Sequence, residues 1–168
     1  GTGKSTLAGR LAARLGGAPG ARWLRSDVLR KRMAGVSPED RLSADAYTRD
    51  HSEAVYRRLG EEARMALAAG ATVLVDAVFA DPAERAAMAA VAGNNGVPFK
   101  GLWLEADPAV LRERVGARTG DASDADAAVV DRQLDYALGD LSDWHRVDAG
   151  GTPDATLAAA RRVIEPGS

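Results

Sequence analysis

Apolar residues recur along this chain in two rhythms that alternate. In TLAGRLAARLGG they fall at Leu7, Leu11, Ala12 and Leu15, the spacing of an amphipathic helix, and Gly16-Gly17 ends it. ARWLRSD sets Trp23 and Arg25 against Leu24 and predicts a short strand finishing at Asp27. A short helix over 28–34 follows, then the polar connector GVSPEDRLS with Pro38. The longest helical pattern runs from about Ala44 to Ala69. Tyr47, Val55, Leu59, Ala63 and Leu67 share one face of it, and Gly70 is a natural C-cap.

The second half repeats the alternation. ATVLVDAVF is a continuous β-branched run, the signature of a strand buried on both faces. Asp81-Pro82 opens a helix, with Asp as N-cap and Pro in the first turn, and it ends near Gly93-Asn94-Asn95-Gly96. PFKGLWLEA reads as a strand and Asp107-Pro108 starts the helix AVLRERVGAR. The polar TGDASDAD precedes a further helix, AVVDRQLDYAL. HRVDA is a short strand, Gly150-Gly151 a turn, and TPDATLAAARRVI a final helix. Strands alternating with helices predict an α/β fold whose parallel sheet is covered on both faces. No repeat or low-complexity linker divides the chain, so residues 1–168 read as one domain.

Composition changes this picture little. With 46% apolar and 27% charged residues the chain is ordinary globular protein. A net charge of −2 argues against a nucleic-acid-binding stripe, and the absence of cysteine excludes disulfides and thiolate metal sites. No apolar run approaches the ~20 residues that cross a bilayer, so no membrane role is expected and a cytoplasmic location fits. Only three lysines occur, Lys4, Lys31 and Lys100. Against that background the lysine in GTGKST stands out.

GTGKST matches the end of the phosphate-loop pattern G-x-x-x-x-G-K-[ST], with Gly3, Lys4 and Ser5 in the last three positions and Gly1 and Thr2 in variable ones. Glycines let backbone N–H groups turn toward phosphate oxygens, and the start of the next helix adds partial positive charge. Lys4 would reach the β/γ-phosphates and the Ser5 hydroxyl would ligate Mg²⁺. The first glycine and the strand before it would precede Gly1. The chain therefore reads as a piece cut inside its own loop, expected to lack a central strand, to fold marginally and to bind ATP weakly.

Three further features refine the chemistry. Asp76 closes VLVD where a Walker-B-type carboxylate assists Mg²⁺, although an Asp that merely ends a strand competes. No guanine-reading N-K-x-D appears, and Ala77 stands where motor ATPases carry a glutamate, which favours transfer over hydrolysis. Asp27 and Arg30, three apart in S-D-V-L-R, suit a base for an attacking hydroxyl and a holder for the substrate. A plain N-cap Asp is the alternative. Arg114 and Arg118, four apart before the polar stretch, suit a lid over about 114–126 that neutralises the transferring group. A solvated helix face would look the same. His51 and His145 read as structural or solvated, and the three tryptophans as packing.

GTGKST, RSDVLRKRM, VLVDAVF, PFKGLWLEA, RTGDASDAD and WHRVDAGG together resemble the AAA-type ATP-binding domains related to small P-loop kinases. Domains of that kind stand behind aminoglycoside-phosphotransferase-like domains in bacterial proteins, which implies a fused N-terminal domain as a partner. Gluconate, polynucleotide 5′- and zeta-toxin-like kinases are more distant relatives. The resemblance implies a three-layer fold with a five-stranded parallel sheet of order 2-3-1-4-5, here without its first strand. It implies ATP and Mg²⁺ as cofactors and transfer of the γ-phosphoryl group to a hydroxyl of a small molecule. By position, Gly1, Thr2, Gly3, Lys4, Ser5 and Thr6 would bind the phosphates, Asp27 would be the base, and Asp76 would assist the metal. Arg114 or Arg118 would be the lid arginine, and Ala149-Gly150-Gly151 would lie near the adenine. Gluconate kinases carry G-D-x-L-H-P where this chain has S-D-V-L-R-K, a departure at the acceptor position. An ATP-sensing regulatory module and a polynucleotide 5′-kinase remain the rival readings.

Overall fold

The computed structural model describes residues 2–37, 39–40, 42–116 and 138–165. In chain order its elements are α1 (Lys4–Ala12), β1 (Arg22–Arg25), α2 (Ser26–Met33), a 3₁₀ turn (Ala44–Tyr47), α3 (Arg49–Ala68) and β2 (Val73–Asp76). Then come α4 (Pro82–Asn94), β3 (Gly101–Glu105), α5 (Pro108–Gly116), β4 (Trp144–Asp148) and α6 (Pro153–Ile164).

The strands form two parallel pairs. β1 runs beside β2 with Arg25 opposite Asp76, and β3 beside β4 with Glu105 opposite Asp148. These are the two outer neighbour pairs of the order 2-3-1-4-5 that the resemblance implies. Along their facing sides runs a cleft of about 1630 Å³, lined by consecutive residues of both β2 and β3.

Strand alternation sorts the core into two layers. On one side Leu74, Leu102 and Leu104 pack against Leu7 and Leu11 of α1 and Leu157 and Ala160 of α6. On the other, Val73, Val75 and Trp144 pack against Val55, Leu59 and Ala63 of α3 and Met88 of α4. Helices therefore cover both faces and each layer touches both strand pairs, a three-layer α/β arrangement. Gly101 is required at its position, because a Cβ there would stand 2.4 Å from the Trp144 ring.

Three elements differ from the pattern read along the sequence. The helix expected over 44–69 is broken at Thr48, whose extended backbone (φ −61°, ψ 161°) caps α3 and puts Tyr47 in the separate turn, off the Val55–Leu59–Ala63 face. β1 stops at Arg25 and α2 begins at Ser26, which places Asp27 inside a helical first turn rather than at a strand end. β2 is shorter than ATVLVDAVF, and Val73–Val75 are half-buried, because one edge of the strand borders the cleft. The helix expected over 128–138 lies almost entirely outside the described residues. α4 begins as expected, with Pro82 in its first turn and Asp81 accepting from the Ala83 N–H at 2.8 Å.

Candidate active site

Where β2 ends, the Asp76 carboxylate is buried and accepts from the Ser5 hydroxyl at 2.6 Å. The Arg25 Nε lies 3.7 Å from the same oxygen, and the Arg25 guanidinium stands 4.9 Å over the Trp23 ring. The sequence pair Ser5 and Asp76, 71 residues apart, is thus one contact. A hydroxyl and a carboxylate sharing a point is the oxygen donor set that suits magnesium. That ion is held by one or two carboxylates together with phosphate oxygens and water, so no larger acidic cluster is needed. None occurs among the described residues.

The start of α1 faces the same place. Gly3 turns the chain into the helix at φ +78°, a conformation open to glycine, and the space where its Cβ would stand is clear. No side chain caps this end and no acidic residue sits in the first turn. The first helical hydrogen bond runs from the Leu7 N–H to the Gly3 carbonyl at 3.0 Å, which leaves the Lys4, Ser5 and Thr6 amides ahead of it. Such an end attracts phosphate. Thr2, Gly3, Lys4 and Ser5 line the cleft, whereas the Thr6 side chain is exposed on the outer face of α1. Gly1 lies outside the described residues.

Asp27 lines the cleft too, and it is not the N-cap of α2, a position held by Arg25. Burial raises its carboxyl above the usual range. The positive charge of Lys4 opposes that shift, the Asp76 charge adds to it, and Arg30 and Arg25 pull it down. Lys4, Asp76 and Arg30 are therefore all within electrostatic reach. Among the described residues no hydrogen bond or ion pair takes up the Asp27 carboxylate.

Arg30 shares the cleft wall but is largely engaged. Its Nη1 donates to the Ala46 carbonyl at 2.7 Å and contacts the Ser52 Oγ at 3.4 Å, and its guanidinium stacks 4.9 Å over Tyr47. Its buried Nε has no hydrogen-bond partner among the described residues. Arg30 thus ties the 3₁₀ turn and α3 to the helix that carries Asp27.

The structure joins Arg114 to the other expected nucleotide feature, the turn after β4. Its guanidinium donates to the Ala149, Gly150 and Gly151 carbonyls, at 2.9 Å for Gly150 and 2.7 Å for Gly151. These contacts face the turn and not the Ser5–Asp76 pair. Arg114→Ala should destabilise the protein by about 1–3 kcal/mol, because no other side chain serves these three carbonyls among the described contacts. A shifted urea midpoint at constant slope checks this. Arg118 and the lid beyond 116 lie outside the described residues. His51 is structural, its Nδ1 donating to the Asp45 carbonyl at 2.7 Å, and His145 is exposed. The sequence reading missed Tyr56 and Phe79 on the cleft wall and the buried Arg85 that holds the Phe79 carbonyl. They sit in ordinary helical and strand patterns that carry no mark of their contacts.

Two parallel strand pairs, an uncapped helix that starts directly after Gly3 with Lys4 and Ser5 in its first turn, and the Ser5–Asp76 contact define a P-loop, kinase-type nucleotide-binding domain. The chain belongs to the AAA-domain family, whose model matches residues 1–138. Among solved structures it is similar to a gluconokinase from Sinorhizobium meliloti 1021. The identity is 22%, the TM-score 0.65, and the match covers 99% of this chain and 90% of that one. It is also similar to a sugar kinase from Janibacter sp. HTCC2649 at 17% identity and TM-score 0.66, over 99% and 90% of the two chains. These likenesses concern the fold. An uncharacterized protein of Mycobacterium tuberculosis is 31% identical over 97% of this chain. The chain spans about a third of the length of the curated relatives it matches, 32% in this case. No helix among the described residues is long and apolar enough to cross a membrane.

Proposed function

We propose that this domain transfers the γ-phosphoryl group of ATP to a hydroxyl of a small molecule. The observation that carries the reading is the Asp27 carboxylate, unpaired on the cleft wall and within electrostatic reach of both Lys4 and Asp76. A carboxylate of that kind can take the proton of an acceptor hydroxyl. The amides at the start of α1 and the Lys4 ammonium hold and neutralise the phosphate oxygens. Ser5 and Asp76 would hold magnesium, which supplies charge neutralisation between the phosphates. In the transfer the acceptor oxygen bonds to the γ-phosphorus as the bridging P–O bond breaks. Asp27 receives the hydroxyl proton, and ADP and a phosphate monoester leave. The gluconokinase and sugar kinase of similar fold support a small hydroxylated acceptor as the substrate class. A fused N-terminal domain and a cytoplasmic location belong to the same proposal.

Ser5→Ala should raise the magnesium concentration for half-maximal transfer about tenfold or more, because Asp76 keeps its place and only one oxygen donor is lost. A magnesium titration of ATP consumption reads this directly. The reading as a whole is tested with γ-labelled ATP and a panel of sugars, sugar acids, polyols, amino alcohols and oligonucleotides. Label in one small hydroxylated product is the expected result. Label only in oligonucleotides would favour a polynucleotide kinase, and magnesium-dependent ATP binding with no labelled product would favour a regulatory module.

A further inference from the structure

Phe79 is the one non-glycine residue at positive φ among the described residues, at +51°. A bulky side chain rarely adopts this left-handed backbone, and such residues persist where their surroundings force them to. Phe79 lies three residues past Asp76, in the segment that leaves β2 for α4. Both of its peptide groups are held. The N–H donates to the Tyr56 Oη at 3.0 Å, and the carbonyl accepts from the Arg85 Nη1 at 2.8 Å.

The two holders are themselves fixed. Arg85 is buried, and its hydrogen bonds run to four carbonyls: Phe79, Ala80 at 2.9 Å, Leu138, and Asp140 at 3.2 Å. The guanidinium therefore acts as a donor plate joining the 77–80 segment to the stretch before β4. Burial, with the Glu84 charge nearby, keeps the Tyr56 phenol protonated far above its ordinary range, and its oxygen accepts from the Phe79 N–H. The Phe79 ring is set between Tyr56, edge-on at 5.4 Å, and Trp144 at 5.6 Å. It lines the cleft that Asp27, Tyr47 and Tyr56 also line.

A turn that needed only its backbone shape would be met by glycine, which takes φ +51° without strain. Two dedicated clamps instead hold an aromatic residue there. We propose that Phe79, clamped by Tyr56 and Arg85, is a positioning residue for the phosphoryl acceptor, its ring forming the wall that sets the acceptor hydroxyl at Asp27. The inference rests on the transfer reading above. An aromatic wall beside a carboxylate suits a polyhydroxylated carbon skeleton, which offers C–H surface to the ring and hydroxyls to Asp27.

The test is steady-state kinetics of Phe79→Gly, with the best acceptor of the panel and ATP varied separately. A wall predicts a fall in kcat/KM for the acceptor of about ten- to a hundredfold, with the KM for ATP unchanged. A purely structural role predicts lower stability with equal losses for both substrates, because glycine suits this backbone but removes a ring packed in the core. Equal kinetics, or equal losses for both substrates, would overturn the proposal. Tyr56→Phe releases the Phe79 N–H but keeps the ring contact, and it should show the same split in a milder form. It decides the matter if Phe79→Gly does not fold. Should the unaltered protein phosphorylate no hydroxyl compound, the transfer reading itself fails and this inference falls with it. Transfer by the unaltered protein without the split overturns this inference alone.

Discussion

Asp27→Asn is expected to abolish phosphoryl transfer while ATP binding persists. A positioned base contributes about 10²–10⁴-fold, and asparagine keeps the shape of the side chain but cannot take a proton. Lys4, Ser5 and Asp76, which the nucleotide would meet, are left in place. The same substitution should make the protein more stable at neutral pH, and the sign follows from the raised carboxyl. Burial leads that shift, so the folded protein keeps the Asp27 proton to higher pH than the unfolded chain does. Between the two values the folded state binds more protons, and stability falls as pH rises through the folded pKa. Asparagine carries no such loss. The Tm of the variant should exceed that of the parent at pH 7, and the gap should close below the ordinary carboxylate range. The acid limb of kcat/KM in the unaltered enzyme should lie above that range for the same reason. An Asp27→Asn variant that transfers normally would remove Asp27 as the base.

Leu59→Ala should have the largest effect on folding. Leu59 is 1% exposed at the centre of the layer that joins α3 to both strand pairs, among Val55, Ala63, Phe79 and Met88. Truncating such a leucine costs about 2–5 kcal/mol through lost burial and the cavity left behind. Domains of this size have only about 5–15 kcal/mol in hand. The expected outcome is a strongly lowered urea midpoint, or loss of cooperative unfolding. A change below ~1 kcal/mol would place Leu59 outside the core.

The parts of this fold that local pattern dictates were legible before any coordinates. The β-branched run ATVLVDAVF marked β2, alternation in ARWLRSD marked β1, Asp81-Pro82 marked a helix start, and GKST followed at once by Leu7, Leu11 and Leu15 marked a phosphate loop entering a helix. The pairing was legible only through the family resemblance, whose implied order sets β1 beside β2 and β3 beside β4, the pairs observed. Side-chain partners were not legible, because arginine gives no local sign of which carbonyl it will reach. Arg30 ends on Ala46, Arg114 on Gly150 and Arg85 on Leu138, at separations of 16, 36 and 53 residues. The break at Thr48 was hidden because the turn before it obeys the same apolar spacing as the helix after it. Phe79 gave no warning either: left-handed turns are usually announced by Gly or Asn, and here tertiary clamps replace the local signal.

The most direct test is a single-turnover experiment on the unaltered chain with γ-labelled ATP, magnesium and the best hydroxylated acceptor, quenched over time. Label should move from ATP into a phosphate monoester of the acceptor, with none appearing first as free phosphate. Bound ATP whose label stays in place, or leaves only as inorganic phosphate, would contradict the assignment of Asp27, Lys4, Ser5 and Asp76 to phosphoryl transfer.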